Sequence, residues 1–277
     1  MNKMNSWNEL KCIKSRHVKE IFCSVRSPGR RVVEFVVRLR NVPGAIAKVS
    51  KALADLNVNI LSGFHTAPPE EETGSWSFFA DLSESGIEPE ELAEKLKELK
   101  EVLDVNFSKG DFNGIFIDDM HFPMTVMGER CAVFRVETIG KMFGSLMEKF
   151  GSGAAFILYI MGVGAGEAKI DSVTKRYGIG GVKALQAVLA ERMAKGWGIP
   201  RLAEFNQEKL EALIEVEDLF ECLPYMGRKI GPQSLFFKGY LEGAFKRLFN
   251  KEFEVKEVEC IAKGDEKCKF VVSVRRT

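Results

Sequence analysis

The chain has 277 residues, 45% of them hydrophobic and 29% charged, with a formal net charge of +1. This describes a globular chain with material for about two domains, and the near-neutral balance argues against direct nucleic-acid binding. Six cysteines in a chain this long are not a secreted disulfide framework, so reduced thiols and a cytoplasmic location are expected.

No signal-peptide pattern opens the chain. Residues 1–30 read as a basic N-terminal arm. Lys3, Lys11, Lys14, Arg16, Lys19, Arg26 and Arg30 stand there against only Glu9 and Glu20. The arm lacks the interleaved aromatics of a nucleic-acid stacking platform, and packing on its own protein is the expected role.

Regular patterning begins at Arg31. Val32 to Leu39 is an almost continuous apolar strand, broken by Asn41-Val42-Pro43-Gly44. A helix follows with Ile46, Val49, Leu53 and Leu56 on one face. Strands are predicted at 58–64 and 76–82, with an acidic loop at 68–74 between them. Pro89 opens a second helix carrying Leu92, Leu96 and Leu99, and 102–107 closes the unit as a strand. The order β-α-β-β-α-β is ferredoxin-like.

The runs Asn41-Val42-Pro43-Gly44-Ala45-Ile46-Ala47 and Asn57-Val58-Asn59-Ile60 resemble an ACT domain, over about residues 31–109. That resemblance implies a regulatory module that binds a small effector, often an amino acid, near the Pro-Gly loop at the interface of paired domains. The effector residues it implies are Asn41, Val42, Pro43, Gly44, Ala45 and Asn59. Physically, a helix N-terminus offers unpaired N–H groups to a carboxylate, and Gly44 permits close approach. The alternative is a unit that only dimerises.

Residues 110–130 read as a connector with a short strand at 114–117. A domain at 131–277 follows. A strand is predicted at 131–137, then a helix capped by Thr138 and containing Met142, Phe143, Leu146 and Phe150. Gly151-Ser152-Gly153 separates it from a long helix, 154–177, whose apolar run 154–165 is shorter than a membrane span. Another helix spans 182–195 and ends at Gly196-Trp197-Gly198. Strands at 202–205 and 213–216, an amphipathic helix at 235–249 and a final cysteine hairpin complete the unit. The fold class is therefore α+β, a ferredoxin-like unit followed by helices packed on an antiparallel sheet.

The hairpin reads Glu257-x2-Cys260-x7-Cys268, with Gly264-Asp265 as a turn signal. Two thiols and a carboxylate are metal-ligand types. Residues three apart on a flat strand point to opposite faces, so Glu257 and Cys260 converge only if a bulge or twist re-aims one. A reduced core pair and a cross-strand disulfide are the other readings. This run, with Tyr159-Ile-Met-Gly162-Val-Gly164-Ala-Gly166 and Gly196-Trp197-Gly198, resembles the 4-vinyl reductase-type domain along residues 119–277. That module senses small molecules in aromatic-responsive regulators and shares its fold with TRAPP trafficking subunits. The resemblance implies zinc held by a Cys, a Glu and the two hairpin Cys; Glu257, Cys260 and Cys268 match. Ser234 stands at the upstream Cys position, and Cys222 or water is left to fill the fourth place. It also implies an apolar or aromatic ligand in a pocket lined by Phe143, Phe156, Tyr159, Ile160, Met161 and Trp197, against the plainer reading of an ordinary core.

Catalytic patterns are missing. His17, His65 and His121 sit in no zinc-protease spacing or nucleophile elbow. Gly162-Val-Gly164-Ala-Gly166 misses the dinucleotide spacing, so no nucleotide or flavin cofactor is expected. Asp118-Asp119 reads as a solvated loop pair, and His121 as a hydrogen-bonded structural residue. The favoured reading is a non-enzymatic, homodimeric small-molecule sensor without a membrane span. Two alternatives are a dimerising assembly scaffold and an accessory protein or enzyme of tetrapyrrole vinyl reduction.

Overall fold

The computed structural model describes residues 17–228 and 233–275; Lys3, Lys11, Lys14 and Arg16 of the basic arm lie outside them. The chain divides into two compact units, Met1–Cys131 and Ala132–Thr277.

The first unit runs β1 (Ser24–Arg26), β2 (Val32–Arg40), α1 (Ala45–Asp55), β3 (Asn59–Thr66), β4 (Thr73–Asp81), α2 (Pro89–Lys97), β5 (Val102–Ser108), β6 (Ile115–Ile117) and a short β7–β8 hairpin (Thr125–Val126, Glu129–Arg130). Its main sheet is antiparallel in the order β3-β4-β2-β5, the ferredoxin-like arrangement. Period-two alternation sends Phe35, Val37 and Leu39 of β2 against Val49 and Leu53 of α1 and Leu92 and Leu96 of α2. The opposite face of the sheet is also covered. Val32, Phe79 and Phe116 form a second small core there with Phe22 and Val25. β1 pairs antiparallel with β6, Ser24 opposite Ile117, so the described end of the arm packs on its own unit. The continuous apolar run of β2 follows from burial on both faces.

The second unit runs α3 (Val136–Phe150), α4 (Ser152–Tyr177), α5 (Gly181–Ala194), β9 (Ile199–Asn206), β10 (Glu211–Glu217), a 3-10 turn (Leu223–Tyr225), α6 (Leu235–Phe249), β11 (Phe253–Glu259) and β12 (Cys268–Val274). The antiparallel sheet has the order β11-β12-β10-β9. Two local expectations fail. Residues 131–135 form no strand, and α3 begins at Val136, so Thr138 lies inside the helix rather than capping it. A short β-branched run cannot be told from a helix start by pattern alone. The second concerns α4, one helix of 26 residues, long and apolar enough by length and composition to cross a membrane. Its buried stripe of Ala154, Leu158, Gly162, Gly166, Ile170 and Val173 marks it as a core helix of this unit.

Glycine explains how α4 and α6 meet. A Cβ at Gly162 would stand 2.0 Å from the Phe236 carbonyl oxygen, and one at Gly166 2.1 Å from that of Tyr240. The relation is reciprocal: a Cβ at Gly239 or Gly243 would stand 2.1 Å from the Tyr159 or Val163 carbonyl oxygen. The two backbones touch along a seam of small residues spaced four apart, as in small-xxx-small packing. Gly164, two residues from either partner, faces open space.

Candidate functional site

Four side chains capable of binding a metal converge in the second unit: Cys222, Glu257, Cys260 and Cys268, with one ligand atom of each within 4.8 Å of all the others. The hairpin supplies three of them. Its register slips between Glu257 and Glu259, a bulge that re-aims Glu257 toward the side of Cys260. The turn between the strands is longer than three residues. It is closed by Lys263 and Asp265 amides donating to the Cys260 carbonyl, while the Asp265 carboxylate accepts the Cys260 amide at 2.8 Å. Gly264 takes a φ of +109°, which suits glycine.

Cys222 comes from the loop before α6 and stands 3.6 Å, sulfur to sulfur, from Cys260; Cys268 stands 4.0 Å from Cys260. All three are free, fully buried thiols. Tetrahedral zinc with Zn–S bonds of ~2.3 Å places its sulfurs about 3.8 Å apart, so the donor set and its spacing fit zinc. Ser234 is not a fourth ligand but an orienting group. Its hydroxyl donates to Glu257 Oε1 at 2.6 Å and lies 2.9 Å from Cys222 Sγ. Occupied in this way, Ser234 leaves the N-terminus of α6 uncapped. Glu221 does that work, accepting the Phe236 and Phe237 amides at 2.7 and 2.9 Å.

Electrostatics set one member apart. The Cys222 and Cys268 thiols hold Cys260 well below the ordinary thiol range. Cys260 and Cys268 in turn push Cys222 up, with burial adding to the rise. For Cys268 the Cys222 thiol pulls downward, but Cys260 and burial outweigh it and push the group up to about 12. Burial pushes the Glu257 carboxyl up to about 8, with the Ser234 hydroxyl opposing. A divalent cation would replace these protons by direct bonds.

The predicted apolar-pocket residues separate. Phe143 and Trp197 both pack on Phe236, at ring distances of 6.2 and 5.7 Å. Trp197 also meets Phe220 and Tyr240 at 5.2 and 5.3 Å. Phe156, Ile160 and Met161 instead lie on the exposed side of α4, 65%, 48% and 52% accessible, and Tyr159 is partly buried. A shallow groove of about 410 Å3 along α3, lined by Arg135, Thr138, Lys141 and Met142 among others, includes none of the six.

Two residues of the aromatic cluster escaped sequence reasoning. Arg192 is 5% exposed, with its guanidinium carbon 4.3 Å from the Trp197 ring centre and 5.3 Å from that of Tyr240. Arg192 Nη2 lies 3.3 Å from Glu191 Oε1, an ion-pair distance without the alignment of a hydrogen bond. Arg192 Nε and the Tyr240 hydroxyl are buried with no hydrogen-bond partner among the described residues. Their signal was present: Arg192 lies seven residues after Leu185 and four after Val188, on the buried stripe of α5.

In the first unit, Gly44 precedes α1 with a φ of +85°, and no side chain caps that helix. Val42, Pro43 and Gly44 are exposed, and Ala45 is buried. The Asn41 carboxamide donates to the Pro68 and Glu71 carbonyl oxygens, pinning the acidic loop beside the Pro-Gly turn. Asn59 is exposed at the start of β3, an edge strand.

This architecture is a two-module α+β chain, a ferredoxin-like unit followed by a helix-covered antiparallel sheet that carries a thiol cluster. Family models identify the modules: residues 33–101 match the ACT domain and residues 213–274 the 4-vinyl reductase domain. No curated protein matches the chain. Among solved structures, it is similar to the phenol-responsive sensory domain of the transcription activator PoxR with phenol, at 16% identity, covering 53% of this chain and 77% of that one, with a TM-score of 0.48. It is similar to trafficking protein particle complex subunit 3 from Naegleria fowleri covalently bound to palmitic acid, at 18% identity, 51% and 95% coverage, and a TM-score of 0.39. A vinyl-4-reductase family protein from Methanocaldococcus jannaschii aligns at 18% identity, 53% and 85% coverage, and a TM-score of 0.37. An ACT domain joined to a 4-vinyl reductase domain fits a ligand-sensing regulatory role.

Proposed function

We propose that this chain is a non-enzymatic, cytoplasmic small-molecule sensor whose second unit receives an aromatic ligand bearing an acceptor oxygen. One observation carries the reading: Arg192 Nε and the Tyr240 hydroxyl are buried donors without hydrogen-bond acceptors among the described residues, set beside Trp197, Phe220 and Phe236. A buried donor left unpaired costs about 1–3 kcal/mol, and a phenolic or carboxylate oxygen would recover that. Phe143 and Trp197 belong to the ligand's surroundings; Phe156, Ile160 and Met161 do not. In the first unit an amino-acid-like carboxylate would dock at the uncapped start of α1, over Val42, Pro43, Gly44 and Ala45. Asn41 would act through the loop it holds, and Asn59 from the neighbouring strand edge. Zinc at Cys222, Glu257, Cys260 and Cys268 would be structural, tying the loop before α6 to the hairpin.

Thermal unfolding with panels of phenols, aromatic acids and amino acids tests this reading. The aromatic compounds should raise the transition of the second unit, and Arg192→Gln or Tyr240→Phe should abolish that shift. If no compound moves either transition, and native mass spectrometry of the purified chain finds no bound organic molecule, the sensor reading fails. A dimerising scaffold has its own support in the exposed Phe156, Ile157, Ile160 and Met161 of α4. It predicts a dimer that Phe156→Glu dissociates, with no response to any small molecule.

A further inference from the structure

A second group of ligand-type side chains lies in the first unit, away from the features used above. Glu34 of β2, Asp118 and His121 bring one ligand atom each within 4.8 Å of the others. His121 Nδ1 is 2.8 Å from Asp118 Oδ1 and 3.2 Å from Glu34 Oε1. The Glu34 side chain is 2% exposed, and neither of its oxygens has an aligned hydrogen-bond partner among the described residues. An ionised carboxylate in that position, beside a second carboxylate, calls for a cation or a proton.

The surroundings prepare a cation site. Asp118 Oδ1 accepts the amides of Met120 and His121, both at 3.1 Å, which fixes the turn. On the far side of the imidazole, Nε2 is 2.8 Å from the hydroxyl of Ser77, a fully buried residue of β4. With Nε2–H donated to Ser77, the Nδ1 lone pair faces the two carboxylates; such an outer contact sets the tautomer of a ligating histidine. Phe22 and Phe64 pack edge-on to the ring at 5.8 and 5.2 Å and wall it in. Burial pushes the Glu34 carboxyl up to about 8, and Asp118 adds to the rise.

We propose that Glu34, Asp118 and His121 form a divalent-cation site, distinct from the thiol cluster, that clasps the 118–121 segment onto the outer face of the ACT sheet. Two carboxylates and one imidazole suit a hard or borderline ion of the manganese, iron or cobalt class, with water completing the shell. Thiophilic selection is absent here, so the two centres differ in the metals they take. A shared proton between Glu34 and its neighbours is the competing account, and it requires no metal.

Cobalt(II) titration of the chelator-treated full chain separates the two. Thiolate-bound cobalt absorbs through intense sulfur-to-metal charge transfer; an oxygen- and nitrogen-bound ion shows only weak ligand-field bands. The expected result is an ion of the weak-band type whose binding raises the melting temperature of the first unit. Glu34→Gln and His121→Gln should each abolish it, leaving the thiolate bands unchanged. Ser77→Ala, which removes only the outer contact, should weaken it roughly tenfold. Uptake of thiolate-type ion alone by the wild-type chain would overturn the proposal. So would a weak-band ion that persists in both ligand variants. Circular dichroism of the metal-free variants shows whether each folds; Asp118→Asn replaces any that does not.

Discussion

The glycine seam between α4 and α6 makes a prediction in which neighbouring positions carry opposite signs. Replacing a helical glycine by alanine ordinarily stabilises, because alanine is better in a helix by about 1 kcal/mol. Gly164→Ala should show that gain in full, since an added Cβ meets nothing within 4 Å. At Gly166 the Cβ would lie 2.1 Å from the Tyr240 carbonyl oxygen and 2.8 Å from the Ala244 amide nitrogen. Ordinary carbon–oxygen contact is about 3.3 Å, so the deficit exceeds an ångström. The atom in the way is backbone and cannot swing aside, so α6 must move away from α4 and lose packing along the seam. Overpacking of this kind costs ~1–3 kcal/mol, and the lost contact adds to it, so the propensity gain is outweighed by about 2 kcal/mol net. Gly162→Ala meets the Phe236 carbonyl oxygen at 2.0 Å and should behave the same way. For a unit of this size, 1 kcal/mol moves the melting temperature by about 2–4 °C. The second unit's transition in a calorimetric scan should therefore fall by ~4–8 °C in Gly162→Ala and Gly166→Ala, and rise by ~2–4 °C in Gly164→Ala. Stabilisation in all three variants would show that the helices do not meet through backbone, and the account of the seam would be wrong.

Three further outcomes are expected. Glu221→Ala strips the caps from the Phe236 and Phe237 amides and should cost the second unit ~2 kcal/mol in urea unfolding. Cys260→Ser should abolish zinc binding in a chelator-competition assay, whereas Ser234→Ala, which only releases Glu257, should weaken it about tenfold. In the first unit, burial acts to raise the Asp81 carboxyl, but hydrogen bonds from Ser83 and Arg30 outweigh it and hold the group below its ordinary 3.8. The stability it gives is therefore present above the ordinary carboxylate range and is lost as pH falls through the lower folded value. Asp81→Asn should cost about 1 kcal/mol at neutral pH, and its urea midpoint should converge on that of the wild type in acid.

Much of the fold was legible because local periodicity and punctuation agreed. Pro43-Gly44 and Pro89 marked helix starts, and the alternation of β2 with the stripes of α1 and α2 gave the first unit directly. The failures share a cause: they depend on residues distant in the chain. Asp118-Asp119 looks like a solvated pair until β2, more than eighty residues upstream, brings Glu34 against Asp118. Its one local hint is a charge inside Val32-Val-Glu34-Phe-Val-Val, a run too apolar for a half-exposed strand. Phe156, Ile160 and Met161 have helical spacing, but spacing alone does not say which face is buried; the glycines claim the inner face. The convergence of Glu257 and Cys260 required a bulge, and no residue signature between 257 and 259 announces one.

Three features of the second unit meet on a single helix. The N-terminus of α6 carries Ser234, which orients Glu257 at the thiol cluster, and the amides that Glu221 caps. Its first turns place Phe236 and Tyr240 among the aromatic rings beneath Arg192. The same turns present Gly239 and Gly243 to α4 without a side chain between the backbones. A close-packed helix responds to a push at one end largely as a body, since its interior hydrogen bonds resist local change. Metal occupancy at the hairpin and ligand occupancy at the aromatic cluster thus act on the same α6–α4 contact, and each should alter the other's affinity by an equal factor. Comparing the ligand-induced shift in melting temperature with and without zinc measures that coupling. Equal shifts would mean that the helix transmits nothing between the two sites.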